Sequence, residues 1–400
     1  MKYIVVLIDG MADEAIEKLN NKTPLEYANI PNINALAKSS ELGMVHTVPE
    51  GMPPGSDVAN LSIMGYAPDV YHTGRSPLEA ANIGVPMLAD DVIFRCNLVT
   101  VSDDNLFEDK VMIDHSASDI TTEEAVQLMA SLREALEDDT HKFYDGTSYR
   151  NIVVWHKGHL ELKLVPPHDF LEQTLSDYVP KGAEWIVDFE KKSYEILKNH
   201  PINLDRVKRG LNPANMMWIW GEGRKPKLDA FNKLYGVEGV TISAVDLIKG
   251  IGRCAAMDAI EVEGATGTIH TNFEGKARAV IEALDKVDYV YLHLEATDEC
   301  SHQGNLDEKI KAIEIIDHKV IKFLIDELNQ KGEDYKMMIL PDHPTPVRLR
   351  THTSNPVPYM IYDSRKNNQK HELNYHEVAC ESTGNVFTNG PELTKYFINK

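Results

Sequence analysis

Apolar runs of strand length alternate with amphipathic stretches of helical period along this chain. Residues 3–8 are an unbroken apolar run rich in β-branched side chains and closed by Asp9-Gly10, which predicts a short buried strand. Residues 93–101, 152–155, 287–294 and 335–340 read as strands for the same reason. Pro31 opens a predicted helix over 31–39. Thr121-Thr122-Glu123-Glu124 is a capping box that starts another, running to about Leu136. Residues 57–64 are helical in pattern, and 305–329 read as one long amphipathic helix. There is no internal repeat or low-complexity tract. Strands alternating with helices predict an α/β fold.

Four segments interrupt this pattern with metal-ligand chemistry. They are Asp9-Gly10, Gly55-Ser56-Asp57, Asp298-Glu299-Cys300-Ser301-His302, and Pro341-Asp342-His343, with His352 close behind the last. Three follow apolar strand patterns and one opens a helix, as expected where open α/β sheets gather sites at strand carboxyl ends. All lie before residue 60 or after residue 295, whereas 90–236 contains none of them yet has strands and helices of its own. The simplest organisation is a discontinuous core of 1–89 and 238–400 with a second α/β domain, 90–237, inserted into it. Hinges are expected at 86–91 and 235–239, where turn residues cluster. A chain of 400 residues is long enough for two or three such domains.

Asp298 and His302 stand four apart, so on a helix they share one face and can grip one cation, with His352 as a third ligand from a loop. Asp9, Asp342 and His343 can hold a second. Mixed oxygen and nitrogen donors suit manganese or zinc better than calcium, with magnesium less favoured. Two such ions about 3.5–4 Å apart are the standard clamp for a phosphoryl group. Ser56, at a helix start where backbone N–H groups attract phosphate, is the candidate nucleophile, since metal coordination lowers the pKa of an otherwise unreactive hydroxyl. Taken singly, each fragment has a plainer reading: a serine before a helix is usually a cap, and an aspartate and histidine four apart are usually a surface pair. Their order and their strand-end context favour the joint reading. Cys300 is assigned to packing, and His46, His141 and His200 to solvated or structural positions.

Composition then narrows the partners. Lysine and arginine number 41 against 62 acidic residues, a net charge of −21 that disfavours nucleic acid and anionic membranes. Four dispersed cysteines without a CxxC pattern read as reduced thiols. The N-terminal apolar run is too short and too soon charged for a signal peptide, and no run approaches the roughly 18 residues of a membrane span. A cytoplasmic protein acting on a small molecule is expected. Its oligomeric state is not expressed in the sequence.

The motifs Ile8-Asp9-Gly10-Met11-Ala12-Asp13, Pro54-Gly55-Ser56-Asp57-Val58-Ala59-Asn60, Tyr71-His72-Thr73-Gly74-Arg75-Ser76-Pro77-Leu78-Glu79-Ala80, Phe94-Arg95-Cys96-Asn97-Leu98, Ala296-Thr297-Asp298-Glu299 and His352-Thr353-Ser354-Asn355-Pro356-Val357-Pro358 span nearly the whole chain. In this order they resemble the archaeal-type cofactor-independent phosphoglycerate mutases of the alkaline phosphatase superfamily. The resemblance implies an alkaline-phosphatase-like metal-binding core and an inserted domain that supplies basic residues to the substrate and closes over the core. It implies that Ser56 is a phosphoserine nucleophile and a ligand shared by the two metal sites. Arg95 and Arg150 match its substrate-binding arginines, Asp114 its acid–base region, and Lys249 a lysine near the nucleophile. One position departs: Glu295 stands where these mutases usually carry lysine, and its Glu-Ala-Thr-Asp context resembles a bacterial branch proposed to act as homoserine kinase. Two enzyme readings follow. One is 2,3-bisphosphoglycerate-independent phosphoglycerate mutase. The other is a phosphotransferase that uses the same metal–serine centre on homoserine, with Glu295 against the ammonium. No glycine-rich nucleotide loop accompanies the second. A non-catalytic scaffold is a third reading, from which two stoichiometric metals would be absent.

Overall fold

The computed structural model describes every residue except 161, 367, 369 and 400. In chain order the strands are β1 (Lys2–Ile8), β2 (Glu41–Val45), β3 (Val92–Val101), β4 (Met112–Asp114), β5 (His141–Thr147), β6 (Arg150–Trp155), β7 (Met216–Gly223), β8 (Gly239–Ile242), β9 (Asp258–Ile260), β10 (Tyr289–Leu294), β11 (Tyr335–Leu340), β12 (Val357–Asp363) and β13 (Val386–Phe387). They form two sheets in two compact units, Met1–His72 with Lys227–Lys400, and Thr73–Pro226.

The first unit holds an eight-stranded sheet in the order β13-β2-β12-β11-β1-β10-β8-β9. β1 lies between β10 and β11 and runs parallel to both, with Val5 opposite Tyr291 on one side and Met338 on the other. A parallel strand covered on both faces needs apolar side chains at every position, which is why these strands appear in the sequence as continuous runs rather than as alternation. On one face Ile4, Val6 and Ile8 pack with Val280, Ile313, Ile316 and Leu324. Because β1, β10 and β11 are parallel and in register, the residues that follow Ile8, Leu294 and Leu340 emerge together.

The stretch 305–329 is not one regular helix. It comprises Leu306–Ile315, a wider π turn Ile316–Ile321, and Lys322–Lys331. The wide turn carries buried Asp317, whose carboxylate accepts from the Ile33 and Asn32 amides at 2.7 and 3.3 Å, satisfying N–H groups at the start of the helix Pro31–Ala37. Periodicity alone does not register one extra residue in such a turn.

In the second unit β3 pairs antiparallel with β6 and β7, β5 pairs with β6, and β4 meets the end of β3. Alternate residues of β3 serve different faces. Phe94, Cys96 and Leu98 pack with Leu128, Leu132, Ile186 and Phe189 from the helices Thr122–Leu136 and Glu184–Leu197, leaving Arg95 and Asn97 on the other side. Thr121 accepts from the Glu124 amide at 3.3 Å, one half of a capping box, while the Glu124 carboxylate pairs with Arg206 and Arg209.

The unit boundaries differ from those expected, 89/90 and 237/238. Residues 73–89 fold with the second unit because the helix Ser76–Asn82 seats Ala80 against Ile93, Ile152 and Val154. Residues 227–237 fold with the first because Phe231 packs on Tyr289, ring centroids 4.5 Å apart, and Tyr235 donates to the Gly65 carbonyl at 2.8 Å. Turn residues mark loops, but only burial decides which unit a loop's neighbours join.

Glu190, in the second unit, is fully buried, and only one of its carboxyl oxygens has a partner, the Ile219 amide at 3.1 Å. Burial pushes its carboxyl well above the usual range. The unfolded chain ionises at its ordinary pKa while the folded chain stays protonated, so the stability present below about pH 4.5 is lost as pH rises towards the folded value. Glu190→Gln, which cannot ionise, is expected to raise the melting temperature at pH 8 relative to the parent, with the gap closing towards pH 4.5. Thermal melts across that range check it, and a gap independent of pH would contradict it.

Candidate metal centre

β1 ends at Ile8 and its ladder carries on for one residue, with the Asp9 amide donating to the Leu294 carbonyl at 2.9 Å. Gly10 follows at φ 62, a left-handed conformation. A Cβ there would come within 2.5 Å of Asp298 Oδ1 and 2.7 Å of Thr345 Oγ1, so only glycine lets the backbone pass this close to the acidic cluster. After β10, the helix Ala296–His302 places Asp298 and His302 on one face, His302 Nε2 3.1 Å from Asp298 Oδ2. After β11 come Asp342 and His343, both fully buried.

These residues form two adjoining ligand groups. Asp9, Asp342 and His343 present donor atoms within 4.8 Å of one another, and so do Asp298, His343 and His352. His343 therefore stands between the groups, whereas the sequence pattern assigned it to one. His302 completes the second, its Nε2 2.9 Å from His352 Nε2. The outer nitrogens explain that contact. His302 Nδ1 lies 2.9 Å from the Arg350 carbonyl and His352 Nδ1 2.9 Å from the Pro54 carbonyl. Carbonyls only accept, so each Nδ1 carries a proton, and either ring in its neutral form has its lone pair on Nε2, towards the other ring. Two lone pairs at that distance need a cation or a proton between them.

The acidic side makes the same demand. Asp9 Oδ1 is buried without a hydrogen-bond partner, while Asp9 Oδ2 meets His293 Nε2 at 2.9 Å. Burial, with Asp342 and Asp298 nearby, raises the Asp9 carboxyl well above its usual range. Asp298 lies well below its range: burial opposes this, but hydrogen bonds from His302 and His352 prevail. His302 is in turn raised to about 9 by its bond to Asp298. Three buried carboxylates and three imidazoles with inward lone pairs fit divalent cations, because uncompensated buried charge of one sign is very costly.

Ser56 enters from a separate loop. Gly55 is extended, Ser56 is the first residue of the helix Ser56–Ile63, and its Oγ lies 3.1 Å from His343 Nε2. The first-turn N–H groups of a helix lack intrahelical partners, so this hydroxyl stands at an anion-attracting terminus. Asn60, one turn on, donates to Asp342 Oδ2 at 2.9 Å and accepts from the Tyr291 hydroxyl at 2.7 Å. Sequence reasoning missed Asn60 as a positioning residue, although it lies four after Ser56. Also missed was the ion pair between His72 Nε2 and Asp57 Oδ2, 2.8 Å, at the start of the same helix.

The remaining site candidates have partners of their own. Lys249, on the helix Asp246–Cys254, is ion-paired with Glu261 at 2.8 Å and Asp246 at 3.2 Å. Glu295 precedes the helix Ala296–His302, and its carboxylate lies so close over Gly267 that a Cβ there would fall 2.1 Å from Oε2. Lys276, a buried ammonium, is lowered to about 8 by burial, and the charge of Glu295 partly offsets that shift.

Within the second unit, Arg95 is buried under Glu79 as an ion pair at 3.1 Å that is not aligned as a hydrogen bond, with its guanidinium 4.5 Å from the Trp220 ring centroid. Arg75 bonds the other Glu79 oxygen at 2.9 Å; burial raises the Glu79 carboxyl, but Arg95 and Arg75, with a smaller part from Arg150, prevail and lower it. Three arginines around one carboxylate leave an excess of two positive charges. Arg75 and Glu79 drew no role from the sequence, though they stand four apart in one of the family motifs. Asp114 organises a turn, accepting from the Ser116 and Ser118 amides at 2.8 and 2.6 Å and from Asn212 at 2.9 Å. Burial raises its carboxyl, but these bonds lower it further and prevail.

No described helix is long and apolar enough to cross a membrane. A family model described as 2,3-bisphosphoglycerate-independent phosphoglycerate mutase matches residues 37–203. The 2,3-bisphosphoglycerate-independent phosphoglycerate mutase of Methanothrix thermoacetophila is 48% identical over 366 residues, which are 91% of each chain. A solved protein of Pyrococcus horikoshii has a TM-score of 0.81 at 28% identity, covering 100% of this chain and 97% of that one. The cofactor-independent phosphoglycerate mutase of Thermoplasma acidophilum shares the fold, with a TM-score of 0.63 at 22% identity over 100% of this chain and 99% of its own. With that level of identity over nine-tenths of both chains, on a fold shared from end to end, the protein belongs to the 2,3-bisphosphoglycerate-independent phosphoglycerate mutase family.

Proposed function

We propose that this protein interconverts 3- and 2-phosphoglycerate through a phosphoserine at Ser56, and that two divalent cations, manganese or zinc in preference to magnesium, occupy the centre. The observation that carries the reading is the position of Ser56 Oγ, 3.1 Å from His343 Nε2, at a helix start and beside both ligand groups. Asp9, Asp342 and His343 would hold one ion, and Asp298, His302 and His352 the other, with Ser56 shared. When bound, such ions neutralise the transferring phosphoryl group and lower the pKa of the serine hydroxyl. Ser56 Oγ attacks phosphorus as the bond to the glycerate 3-oxygen breaks. The 2-hydroxyl then takes the phosphoryl group back from Ser56. Arg95 and Arg150, with Arg75, supply the cationic charge that the substrate carboxylate and phosphate require. Asp114, in the acid–base region, and Lys249, as the lysine near the nucleophile, keep in this scheme the catalytic roles that the family resemblance implies. The free cysteines suit a reducing compartment, so the protein is assigned to the cytoplasm.

Homoserine as acceptor is the second reading, and the surroundings of Glu295 weigh against it. A carboxylate packed against Gly267, whose charge already supports the buried Lys276 ammonium, is poorly placed to serve a substrate ammonium as well. Glu295→Gln is expected to lower the melting temperature, by leaving Lys276 without its counter-charge, while the KM for 3-phosphoglycerate stays within about threefold of the parent. Assays of the manganese-loaded enzyme with 3-phosphoglycerate, and with homoserine plus ATP, test both readings. Turnover of homoserine and none of 3-phosphoglycerate would overturn the mutase.

A further inference from the structure

We propose that Thr345 is a positioning residue that commits His343 to its metal-ligating tautomer by drawing on a carboxylate of the other metal group; this rests on the two-metal reading above. Thr345 is completely buried. Its amide donates to the Ala12 carbonyl at 3.1 Å, and its own carbonyl accepts from Lys309 Nζ at 2.9 Å, so its backbone is held from two directions. Its hydroxyl lies 2.7 Å from Asp298 Oδ1 and 3.2 Å from His343 Nδ1. It therefore touches Asp298, of one ligand group, and His343, which stands between the two.

A hydroxyl has one proton to give and lone pairs with which to accept. An ionised carboxylate only accepts, so the Thr345 proton goes to Asp298. The Thr345 oxygen can then satisfy His343 only as an acceptor, which places the imidazole proton on Nδ1. The lone pair of His343 consequently sits on Nε2. That nitrogen faces Ser56 Oγ at 3.1 Å, Asp342 Oδ2 at 3.2 Å and Asp9 Oδ1 at 3.8 Å, the position a cation bound by these groups would take. The opposite tautomer would leave His343 Nδ1 and Asp298 Oδ1 as two acceptors competing for the one Thr345 proton. Outer contacts that fix a ligating imidazole in this way change metal affinity by about 10–100-fold when removed. The hydroxyl also links the groups, since whatever draws on Asp298 Oδ1 alters the acceptor that holds Thr345, and through it His343.

The test uses the full chain, stripped of metal and titrated calorimetrically with manganese(II), together with nitrogen-15 histidine spectra of the metal-free protein. The parent is expected to bind two ions and to show His343 protonated on Nδ1. Thr345→Val, which keeps the shape and removes the hydroxyl, is expected to weaken at least one ion by about 10–100-fold and to show mixed His343 tautomers. Thr345→Ser is expected to stay within about threefold of the parent. An unchanged pair of affinities in Thr345→Val would overturn the proposal. So would a His343 protonated on Nε2 in the parent, a measurement that needs no variant to fold. A parent that binds fewer than two ions would reject the two-metal reading instead, and the tautomer measurement would still judge Thr345.

Discussion

Ser56→Ala is expected to lower mutase turnover by about 10³-fold or more while leaving the fold intact, because a nucleophile that carries the phosphoryl group has no substitute within the site. Ser56 is the first residue of its helix and Gly55 is the cap, so the substitution removes no capping bond. Its stability effect should stay within about 0.5 kcal/mol, as for ordinary positions outside packed or capped sites. Kinetics, thermal melting and mapping of the peptide labelled by isotopic phosphoglycerate check the three parts. A label on a different residue, or turnover near that of the parent, would remove Ser56 from the scheme. Loss of activity accompanied by unfolding would leave the labelling of the parent to decide.

Exhaustive chelation is expected to abolish activity, and manganese(II) to restore it. Without cations, three buried carboxylates face one another and only a proton can stand between the facing Nε2 atoms of His302 and His352. The pH dependence follows from His302, raised to about 9 by its bond to Asp298. In the metal-free protein the stability from that pair is fully present below the unfolded pKa of about 6.5 and is lost as pH rises through about 9. A cation needs the ring neutral, so binding below pH 9 must expel its proton, and affinity should fall as pH falls. Calorimetry at pH 7.5 in buffers of different ionisation enthalpy should reveal that release. Full turnover after metal removal, or binding without proton release, would contradict the assignment of His302.

The elements that carry the site are legible in the amino-acid sequence. The run at 3–8 forms most of β1, the run at 335–340 is β11 with the same bounds, and Thr121 caps its helix as expected. Such signals are local. A strand buried on both faces must be apolar throughout, and a helix start must satisfy its own N–H groups. The candidate ligands are legible only jointly: each fragment alone has a plainer structural reading, but their order and their place at strand ends or a helix start single them out as a set. Their supporting residues are not. Asn60, Thr345 and His293 are ordinary side chains by sequence, and their parts depend on what lies opposite: Asp342, the pair His343 and Asp298, and Asp9. Glu295 is the clearest such case. Its charge stands out against the family motif, but its counter-charge, Lys276, lies 19 positions earlier in the chain and meets it only in the fold.

The sequence by itself determined the α/β class, the candidate ligand types and Ser56 as the candidate nucleophile, since each follows from side-chain chemistry over a few consecutive residues. Tertiary structure alone decided that the units divide at 72/73 and 226/227, that His343 stands between both ligand groups, and that the lone pairs of His302 and His352 converge. The reason is physical: burial, counter-charge and tautomer are properties of pairs of groups, and these pairs are brought together only when strands distant in sequence align in one sheet.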